Sequence, residues 1–259
     1  MSFVNLHTAP PTEDLSTNYG PNPYDINFVF PLHLLSLETE RIKLVPFIPR
    51  LYAQLYLDQV LAHPELLKYL PAHHRTLADV LSFFEGRVRR DPAWSAFAII
   101  DKVRPDAAHP ELGGSFTGML SLHNTNAANL SAEIGWIVVF PAFQRTHVTS
   151  NAVGALLRYC LELPTAPARG LGLRRVQWAA HPENAPSLGA GQRMGFRREG
   201  TLRWMWVLPE GKYGNGIAPR EGDPKGSVGG RDSAMLSFCA DDWESGGRER
   251  VQEIIDRRN

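Results

Sequence analysis

Short stretches of alternating hydrophobic and polar residues mark the strands of this chain, and the first covers residues 40–46 (ERIKLVP). Within it, Ile42 and Leu44 fall on one side of an extended backbone and charged residues on the other, as in a half-buried strand. Pro46 and Pro49 then interrupt the alternation. The pattern therefore predicts a strand that ends near Pro46.

Apolar residues recur at helical spacing in the segment that follows, residues 50–61. The spacing puts Leu51, Leu55 and either Val60 or Leu61 on the inner face of a helix.

A second helix is predicted to start at Thr76, because threonine is favoured at helix N-caps and Asp79 suits the first turn. We expect its apolar residues to pack in the core: Leu77, Val80, Leu81, Phe84 and Val88.

Three consecutive strands are predicted at residues 95–100, 115–122 and 131–140. A helix follows over residues 148–163 and stops at Pro164. Its buried stripe is predicted to contain Val148, Ala152, Ala155, Leu156, Tyr159 and Leu163.

The rest of the pattern predicts a strand at residues 174–180, a helix at 186–194, and strands at 197–208 and 231–240. Between the last two strands, residues 209–230 contain seven glycines and three prolines, which is typical of a long mobile loop. The order of elements predicts one mixed α/β (α+β) sheet with helices on its faces.

The two ends of the chain differ from this central region. Residues 1–36 are rich in Pro, Asn, Ser and Thr and predict a poorly ordered arm, pinned late by Phe28, Phe30 and Leu34. The tail from residue 242 is typical of a charged, peripheral helix. We therefore expect a domain at residues 37–244 and a helical tail at 245–259.

Composition narrows the classes of function. Lys plus Arg and Asp plus Glu are both 27 in 259 residues, so no overall basic charge points to nucleic acid. No apolar run reaches the roughly 20 residues of a membrane span, and no secretory signal is visible. Cys160 and Cys239 are expected to be free thiols rather than a disulfide, which predicts a cytoplasmic protein, and no Cys/His cluster suggests a metal.

The stretch from Glu133 to Arg203 carries the candidate chemistry. A strand (AEIGWIVVF) passes through Pro141 and QRTHVTSNA into a helix. Free backbone N–H groups at such a helix start favour a phosphate by about 0.3–1 kcal/mol, and Arg145 adds a charge-assisted contact. An ordinary turn capped by Thr146 or Ser150 explains the pattern equally well.

The next motif is HPENAPSLGAGQRMGF, in which Ser187, Gly195 and Phe196 lie three, eleven and twelve residues after Asn184. Together with ETERIKLVPF, AEIGW, PAFQRTHVTSNA, LRRVQW, MGFRREGTLR and RDSAMLSF, in this order, it resembles the GCN5-related N-acetyltransferases (GNAT). The branch that it resembles contains the ribosomal-protein alanine and serine N-acetyltransferases. The resemblance covers roughly residues 38–244.

The resemblance implies a GNAT fold, a mostly antiparallel sheet with splayed strands, and acetyl-CoA as cosubstrate. In such a fold the strand after Glu133 holds the pantetheine arm, the turn holds the pyrophosphate, and residues at the end of the next strand approach the sulfur. The implied acetyl-CoA contacts are Ile137, Val138, Val139, Gln144, Arg145, Thr146, His147, Val148, Thr149, Ser150, Asn184 and Ser187.

Three positions depart from the family pattern. His147 and Thr149 stand where most members have small residues that let backbone approach phosphate. Gly191 stands where many members have a tyrosine general acid.

An amine must lose a proton before it attacks, so the site needs a base. Glu133 is the first candidate and His123 the second, directly or through water; the alternatives are an ion-paired strand residue and a structural histidine. Ser187 either protonates the departing thiolate or caps the following helix. His181 is expected to orient the Asn184 turn.

A backbone N–H of Val138 or Val139 is expected to stabilise the oxyanion that develops on the acetyl group. Four tryptophans are interpreted as core residues or, with Phe140, as walls of an apolar acceptor site: Trp136, Trp178, Trp204 and Trp206.

The sequence thus predicts an enzyme that transfers acetyl from acetyl-CoA to a primary amine by direct attack in a ternary complex. A small amine suits a closed pocket and a peptide N-terminus an open groove, and the loop 209–230 decides between them. The alternative is a non-catalytic acyl-CoA-binding module. Nucleic acid and membrane are not expected as partners, and a homodimer is compatible with the sequence.

Overall fold

The computed structural model describes residues 2–8 and 12–258. Seven strands form one sheet in the order β1-β2-β3-β4-β5-β7-β6, in which only β4 and β5 are parallel neighbours. The strands are β1 Ile42–Pro46, β2 Ser95–Asp101, β3 Ser115–Asn126, β4 Ser131–Val139, β5 Arg175–Ala180, β6 Arg197–Val207 and β7 Gly230–Cys239. The predicted mixed, mostly antiparallel sheet is confirmed.

The α-helices of the described residues are α1 Pro49–Ala62, α2 Leu77–Phe83, α3 His147–Leu161, α4 Ala185–Met194, α5 Ala240–Asp242 and α6 Arg248–Asp256. Wider helical turns, Phe84–Arg89 and Trp243–Gly247, continue α2 and join α5 to α6. None of these helices contains an apolar stretch long enough to cross a membrane. The order of strands and helices predicted from the sequence is confirmed.

Each face of the sheet has its own apolar layer. On one face α3 packs Val148 and Leu156 in the cluster that contains Ile134 of β4. On the other face α1 supplies Tyr56 and the extension of α2 supplies Phe84. Burial of these side chains, at roughly 1.5–3 kcal/mol each, holds the helices on the sheet.

The predicted inner face of α1 is confirmed at Val60, which is buried, and at Leu55, which packs against the core, but it is wrong at Leu51. Leu51 and Leu61 are 51% and 53% exposed, whereas Tyr52 and Tyr56 are buried. The tyrosine rings lie 5.5 and 6.0 Å from the ring of Phe47, so aromatic packing turns the helix toward them. Two sets of apolar residues share the helical period here, and the larger rings occupy the core.

The helix α2 begins as predicted, with Thr76 and Asp79 forming reciprocal hydrogen bonds at its N-terminus. Its apolar residues are buried, apart from Leu77, which is half-buried.

The prediction of a peripheral C-terminal helix is wrong. Trp243, Val251 and Ile255 are buried, and they join the core cluster of α3. A Cβ atom on Gly154 of α3 would lie 2.7 Å from Cγ1 of Ile255, so α6 approaches α3 where a glycine leaves room. The charged residues of the tail occupy the outer side of a helix whose inner side is apolar.

The N-terminal arm lies partly on the domain. Phe28 and Phe30 are half-buried against the core of α3, and the Tyr159 hydroxyl donates to the Pro31 carbonyl. Leu34 is 47% exposed and does not pin the arm as expected. Residues 1 and 9–11 of the predicted arm lie outside the described residues, and the domain boundaries at residues 37 and 244 stay a prediction.

Both cysteines are free thiols. Cys160 is buried in α3, and burial raises the pKa of its thiol. Cys239 is half-buried at the end of β7.

Candidate active site

The parallel strands β4 and β5 stay together over only three residue pairs, the last of which joins Glu133 to Gln177. Beyond it β4 continues to Val139 and β5 to Ala180 without pairing to each other. One strand leads to the start of α3 and the other to the start of α4. The result is a V-shaped opening in the sheet, with Glu133 at its narrow end, and the expected splaying is confirmed.

A bulge in β4 borders this opening. The register of β3 with β4 shifts between Met119, which pairs with Val138, and Ser121, which pairs with Gly135. Within the bulge Trp136 has φ +50°, a conformation that costs a non-glycine residue about 1–3 kcal/mol. The residues predicted to hold the pantetheine arm follow directly: Ile137, Val138 and Val139.

The turn predicted to hold pyrophosphate connects the wide end of the opening to α3. Thr146 is the N-cap of α3, and its hydroxyl oxygen accepts from the Val148 amide at 3.3 Å. Ser150 instead donates to the His147 carbonyl, so of the two capping candidates Thr146 is the cap. Arg145 has φ +59° and an exposed side chain.

The unusual His147 of this turn points to β2. Its Nε2 atom lies 3.2 Å from Oδ1 of Asp101, which is fully buried, and Nε of Arg104 lies 3.7 Å from the other carboxylate oxygen. The imidazole therefore ties the start of α3 to the sheet. A residue type that departs from the family pattern has a structural role in this turn.

The end of β5 forms the opposite side of the opening. Asn184 is the N-cap of α4 and accepts from the Ser187 amide at 3.2 Å. The Ser187 hydroxyl accepts from Nε1 of Trp178 at 3.0 Å. The alternative in which Ser187 caps α4 is therefore wrong. In residues 2–8 and 12–258 no acceptor takes the Ser187 hydroxyl proton.

Little free space surrounds position 191, where this protein has a glycine and not the tyrosine of many family members. A Cβ atom on Gly191 would lie 3.4 Å from Cδ2 of Trp178 and 3.6 Å from Leu236. The indole that binds Ser187 thus covers Gly191 directly.

The two candidate bases are brought together at the narrow end of the opening. Nε2 of His123 lies 3.1 Å from Oε1 of Glu133, and Nδ2 of Asn124 donates to Oε2 at 3.0 Å. The other ring nitrogen of His123 lies 3.3 Å from the Ser121 hydroxyl. Glu133 and His123 are each 3% exposed, so the pair is buried.

These contacts decide the charge of Glu133. Burial alone raises the pKa of its carboxyl, but the hydrogen bond and charge of His123, the Asn124 amide and the charge of Arg231 together lower it. Arg231 is 5% exposed; its burial lowers its pKa to about 10, while Glu133 acts in the opposite direction. Glu133 is therefore ionised at neutral pH.

His181 holds the turn before α4 as expected. Its Nδ1 atom accepts from the Glu183 amide at 3.1 Å, and its carbonyl accepts from the Asn184 amide at 2.8 Å. Its ring packs between those of Tyr69 and Tyr213, at 5.1 and 5.7 Å.

The loop 209–230 lies over this side of the opening. Lys212 donates to the Leu67 carbonyl at 2.6 Å, and Tyr213 donates to the Glu183 carboxylate at 3.0 Å. The loop thus spans from the connection between α1 and α2 to the turn before α4.

The expected wall of four tryptophans with Phe140 does not form. Trp136 and Phe140 belong to the apolar layer of α1 and α2, whereas Trp178 belongs to the layer of α3 on the other face. Trp204 is 40% exposed on the edge strand β6. The alternation of side chains along strands separates residues that a sequence can only group by type.

Sequence reasoning also missed several polar residues of the site. Asn124 and Arg231 act on Glu133. Asn124 lies in none of the motifs, and Arg231 begins the segment RDSAMLSF, which assigned it no role. The spacing of Arg231 after a glycine-rich loop gave no signal, because its position on the face of Glu133 depends on the pairing of β5 with β7.

One group of potential metal ligands lies away from the opening. Cys239, Asp241 and Asp242 have ligand atoms within 4.8 Å of one another. Asp242 already accepts from Nη2 of Arg197 at 2.6 Å and from the Cys239 amide at 3.1 Å, so its oxygens serve the end of β7.

Comparison with known proteins agrees with this geometry. A model of the acetyltransferase (GNAT) domain matches residues 41–197, more than half of the chain. The chain belongs to the GNAT family of acetyltransferases. The match includes the opening in the sheet, both candidate bases and the Asn184 turn of this GNAT protein.

Individual relatives support the same assignment. The chain is 34% identical over 104 residues to the Bacillus subtilis (strain 168) protein named "Putative ribosomal N-acetyltransferase YdaF". The match covers 40% of this chain and 49% of that protein. It therefore spans about half the length of this curated relative.

Solved structures share the fold of this GNAT protein at low sequence identity. A probable GNAT-family acetyltransferase from Chromobacterium violaceum ATCC 12472 superposes with a TM-score of 0.65 at 20% identity, covering 93% of this chain and 100% of that one. RimJ of Mycobacterium smegmatis, in complex with CoA-disulfide, gives 0.57 at 20% identity and covers 82% and 88%.

Proposed function

We propose that this protein is an N-acetyltransferase that moves the acetyl group of acetyl-CoA to a primary amine by direct attack in a ternary complex. The observation that carries the proposal is the position of Glu133, which ends the pairing of β4 with β5 and is bonded to His123. A buried base thus lies at the narrow end of an opening lined by backbone. Family membership supports the same chemistry.

The residues around the opening fit an acyl-CoA. Phosphate binds the free N–H groups at the start of α3, helped by the exposed Arg145. The pantetheine arm pairs with the backbone of residues 137–139, and Asn184 approaches it from the other side. Acetyl-CoA supplies the thioester, whose acetyl carbon forms a bond to the amine nitrogen as its bond to sulfur breaks. A backbone N–H of Val138 or Val139 stabilises the oxygen that becomes negative.

Glu133 removes the proton of the amine, directly or through a water molecule. Each of its oxygens accepts one hydrogen bond, from His123 or Asn124, and retains a lone pair for another. Its lowered pKa makes it a weak base, and the His123 ring nitrogen, 3.1 Å away, is placed to share the proton. The two candidate bases act as one unit.

Ser187 donates a proton or hydrogen bond to the departing CoA thiolate. Its oxygen accepts from Trp178, which orients the hydroxyl and leaves its hydrogen for another partner. In this proposal Ser187 takes the role of the tyrosine general acid, which is absent because residue 191 is a glycine. The loop 209–230, fixed at Leu67 and Glu183, supports a small amine over a peptide N-terminus as acceptor.

Calorimetry with acetyl-CoA, followed by thiol release with a panel of amines, tests the proposal. We expect binding and turnover in the wild type. Glu133→Gln should bind acetyl-CoA normally and lose about 10²–10⁴-fold in kcat. An unchanged rate across pH would remove Glu133 from this role.

A non-catalytic acyl-CoA-binding module is the second candidate, favoured by Gly191 and by the tie of His147 to Asp101. Binding without turnover on any amine would support this module. Absence of binding would exclude both functions.

A further inference from the structure

Arg87, which lies in the extension of α2, is surrounded by tryptophans. Its guanidinium carbon lies 5.5 Å from the ring of Trp94, 5.9 Å from that of Trp136 and 5.1 Å from that of Trp206. These rings come from three segments, the start of β2, the bulge of β4 and the end of β6. Three cation–π contacts to one guanidinium fix its position.

Arg87 differs from the arginines next to it. Arg89 forms an ion pair with Glu85 at 2.5 Å, and Arg90 forms one with Glu13 at 2.5 Å. Across residues 2–8 and 12–258, Arg87 makes neither an ion pair nor a hydrogen bond, although the charge of Asp91 reaches it. A guanidinium in contact with rings keeps its N–H groups free in its own plane. Such a group is suited to bind a planar anion at two points.

The position of Arg87 links it to the reaction centre. Trp136 is the bulge residue of β4, and the ring of Trp94 lies 5.2 Å from that of His123, which is bonded to Glu133. One aromatic layer therefore separates Arg87 from the proposed base. Arg87 is exposed, so a ligand reaches it from solvent.

Arg231, the second arginine near Glu133 and Trp206, also favours an anion. Arg231 donates Nη1 to the Tyr69 carbonyl, and its buried Nε atom has no partner in the described part of the chain. Of the carboxylates nearby, Glu133 is bonded to His123, Glu183 accepts from Tyr213, and Asp91 accepts from the Ala93 amide at 2.9 Å. An incoming carboxylate at Arg87 would therefore meet guanidinium N–H groups that have no hydrogen-bond partner within the described residues.

We propose that Arg87 binds a carboxylate of the acceptor, so that the acceptor carries a primary amine and a carboxylate on the same molecule. The inference rests on the proposed acetyl transfer. Two sources fit this chemistry, a free amino acid and the acidic side chain near the N-terminus of a peptide. A polyamine does not fit, because its charges would face Arg87 and Arg231.

A series of amines tests the proposal with the full-length protein. Amino acids that carry the amine and the carboxylate at opposite ends of an alkyl chain are compared with alkylamines of the same chain length. Peptides with aspartate at the second position are compared with their asparagine counterparts. At the preferred chain length, or with the preferred peptide, we expect kcat/KM to be about tenfold to a hundredfold higher for the compound with the carboxylate than for its counterpart without it. This is the effect of one hydrogen bond between charged groups. The two arms identify the source.

Substitutions then assign the preference to Arg87. Arg87→Gln should abolish the advantage of the carboxylate, mainly through KM, and Arg87→Lys should retain part of it. Arg203→Gln, an exposed arginine on β6 with the same loss of charge, should keep the wild-type ratio. Equal rates on matched acceptors in the wild type, a preference that survives Arg87→Gln, or faster transfer to spermidine would each overturn the proposal.

A binding measurement separates this proposal from the proposed function. Calorimetry follows the same amino acids and peptides added to protein saturated with CoA. If no amine is acetylated, acetyl transfer fails, yet binding of a carboxylate that is lost in Arg87→Gln still supports the site. Absence of binding in the wild type would overturn the proposal even if alkylamines are acetylated.

Discussion

Nε2 of His123 lies 3.1 Å from Oε1 of Glu133, and the two residues face each other across the pairing of β3 with β4. Gly135 makes this arrangement possible, because a Cβ atom there would lie 2.5 Å from Cε1 of His123. The imidazole thus lies over a glycine and reaches the carboxylate. A hydrogen-bonded carboxylate and imidazole are held inside the sheet where β4 leaves β5.

The first prediction concerns the energy of this pair. Glu133→Gln and His123→Gln each disturb a hydrogen bond between two buried groups, which should lower the free energy of unfolding by about 1–3 kcal/mol. The double variant should lose less than the sum, with a coupling of about 1–3 kcal/mol, measured by urea unfolding. The exposed pair of Arg258 with Glu40 serves as control, with an expected coupling of about 0–1 kcal/mol. Additive losses at Glu133 and His123 would contradict the coupling.

The second prediction concerns the tyrosine that Gly191 replaces. Because Trp178 lies 3.4 Å from the Cβ position, Gly191→Tyr should overpack the site and destabilise the protein by about 1–3 kcal/mol without raising the rate of thiol release. Gly200→Tyr is the matched control, since no atom lies within 4 Å of its Cβ position, and it should change stability by less than about 0.5 kcal/mol. A Gly191→Tyr variant that is faster than the wild type and equally stable would show that the site accepts a tyrosine general acid at position 191.

Local sequence patterns are sufficient for the order of elements but not for every buried face. In α1, Leu51 and Tyr52 fit the same helical period, and only contact with Phe47 selects the tyrosine. The tail has the pattern of a charged helix because its apolar residues, Trp243 and Ile255, are few and widely spaced. Such choices depend on partners that are distant in the chain.

The candidate site shows the same limit. The sequence indicates Glu133 and His123 separately, and their contact depends on the register of β3 with β4, which is shifted by the bulge at Trp136. Arg87 and Trp206 are brought together from segments more than a hundred residues apart. No local spacing of residues in the sequence indicates such a contact.

The third prediction is a dependence of stability on pH through His74. This residue is 4% exposed and bonded to the Tyr56 hydroxyl at 3.1 Å, and burial lowers its pKa to about 4. The folded protein therefore keeps the imidazole neutral while the unfolded chain, with an ordinary pKa near 6.5, binds a proton. The contribution of His74 to stability is complete above pH 6.5 and decreases as pH falls toward 4.

At pH 5 this loss amounts to about 2 kcal/mol relative to pH 7. Urea unfolding at both pH values should show a smaller decrease for His74→Gln than for the wild type. His109→Gln, which changes a half-buried histidine paired with the exposed Glu111, should keep the wild-type decrease. An identical pH dependence in His74→Gln would mean that His74 titrates normally.

The fourth prediction concerns the contact that holds the C-terminal helix on α3. At Gly154 the Cβ atom of an alanine would lie 2.7 Å from Cγ1 and 2.8 Å from Cδ1 of Ile255, so α6 or its side chain must move. Alanine favours a helix over glycine by about 1 kcal/mol, but overpacking costs about 1–3 kcal/mol, so we expect Gly154→Ala to be neutral to about 2 kcal/mol less stable in urea unfolding. Gly154→Ala combined with Ile255→Ala should lose less stability than the sum of the single variants, because alanine removes both Cγ1 and Cδ1 from the contact. Gly189→Ala in α4, where the nearest atom is the end of the flexible Arg193 side chain at 3.3 Å, is the control and should gain from helix propensity. If Gly154→Ala gains as much stability as Gly189→Ala, the approach of α6 to α3 is looser than this contact requires.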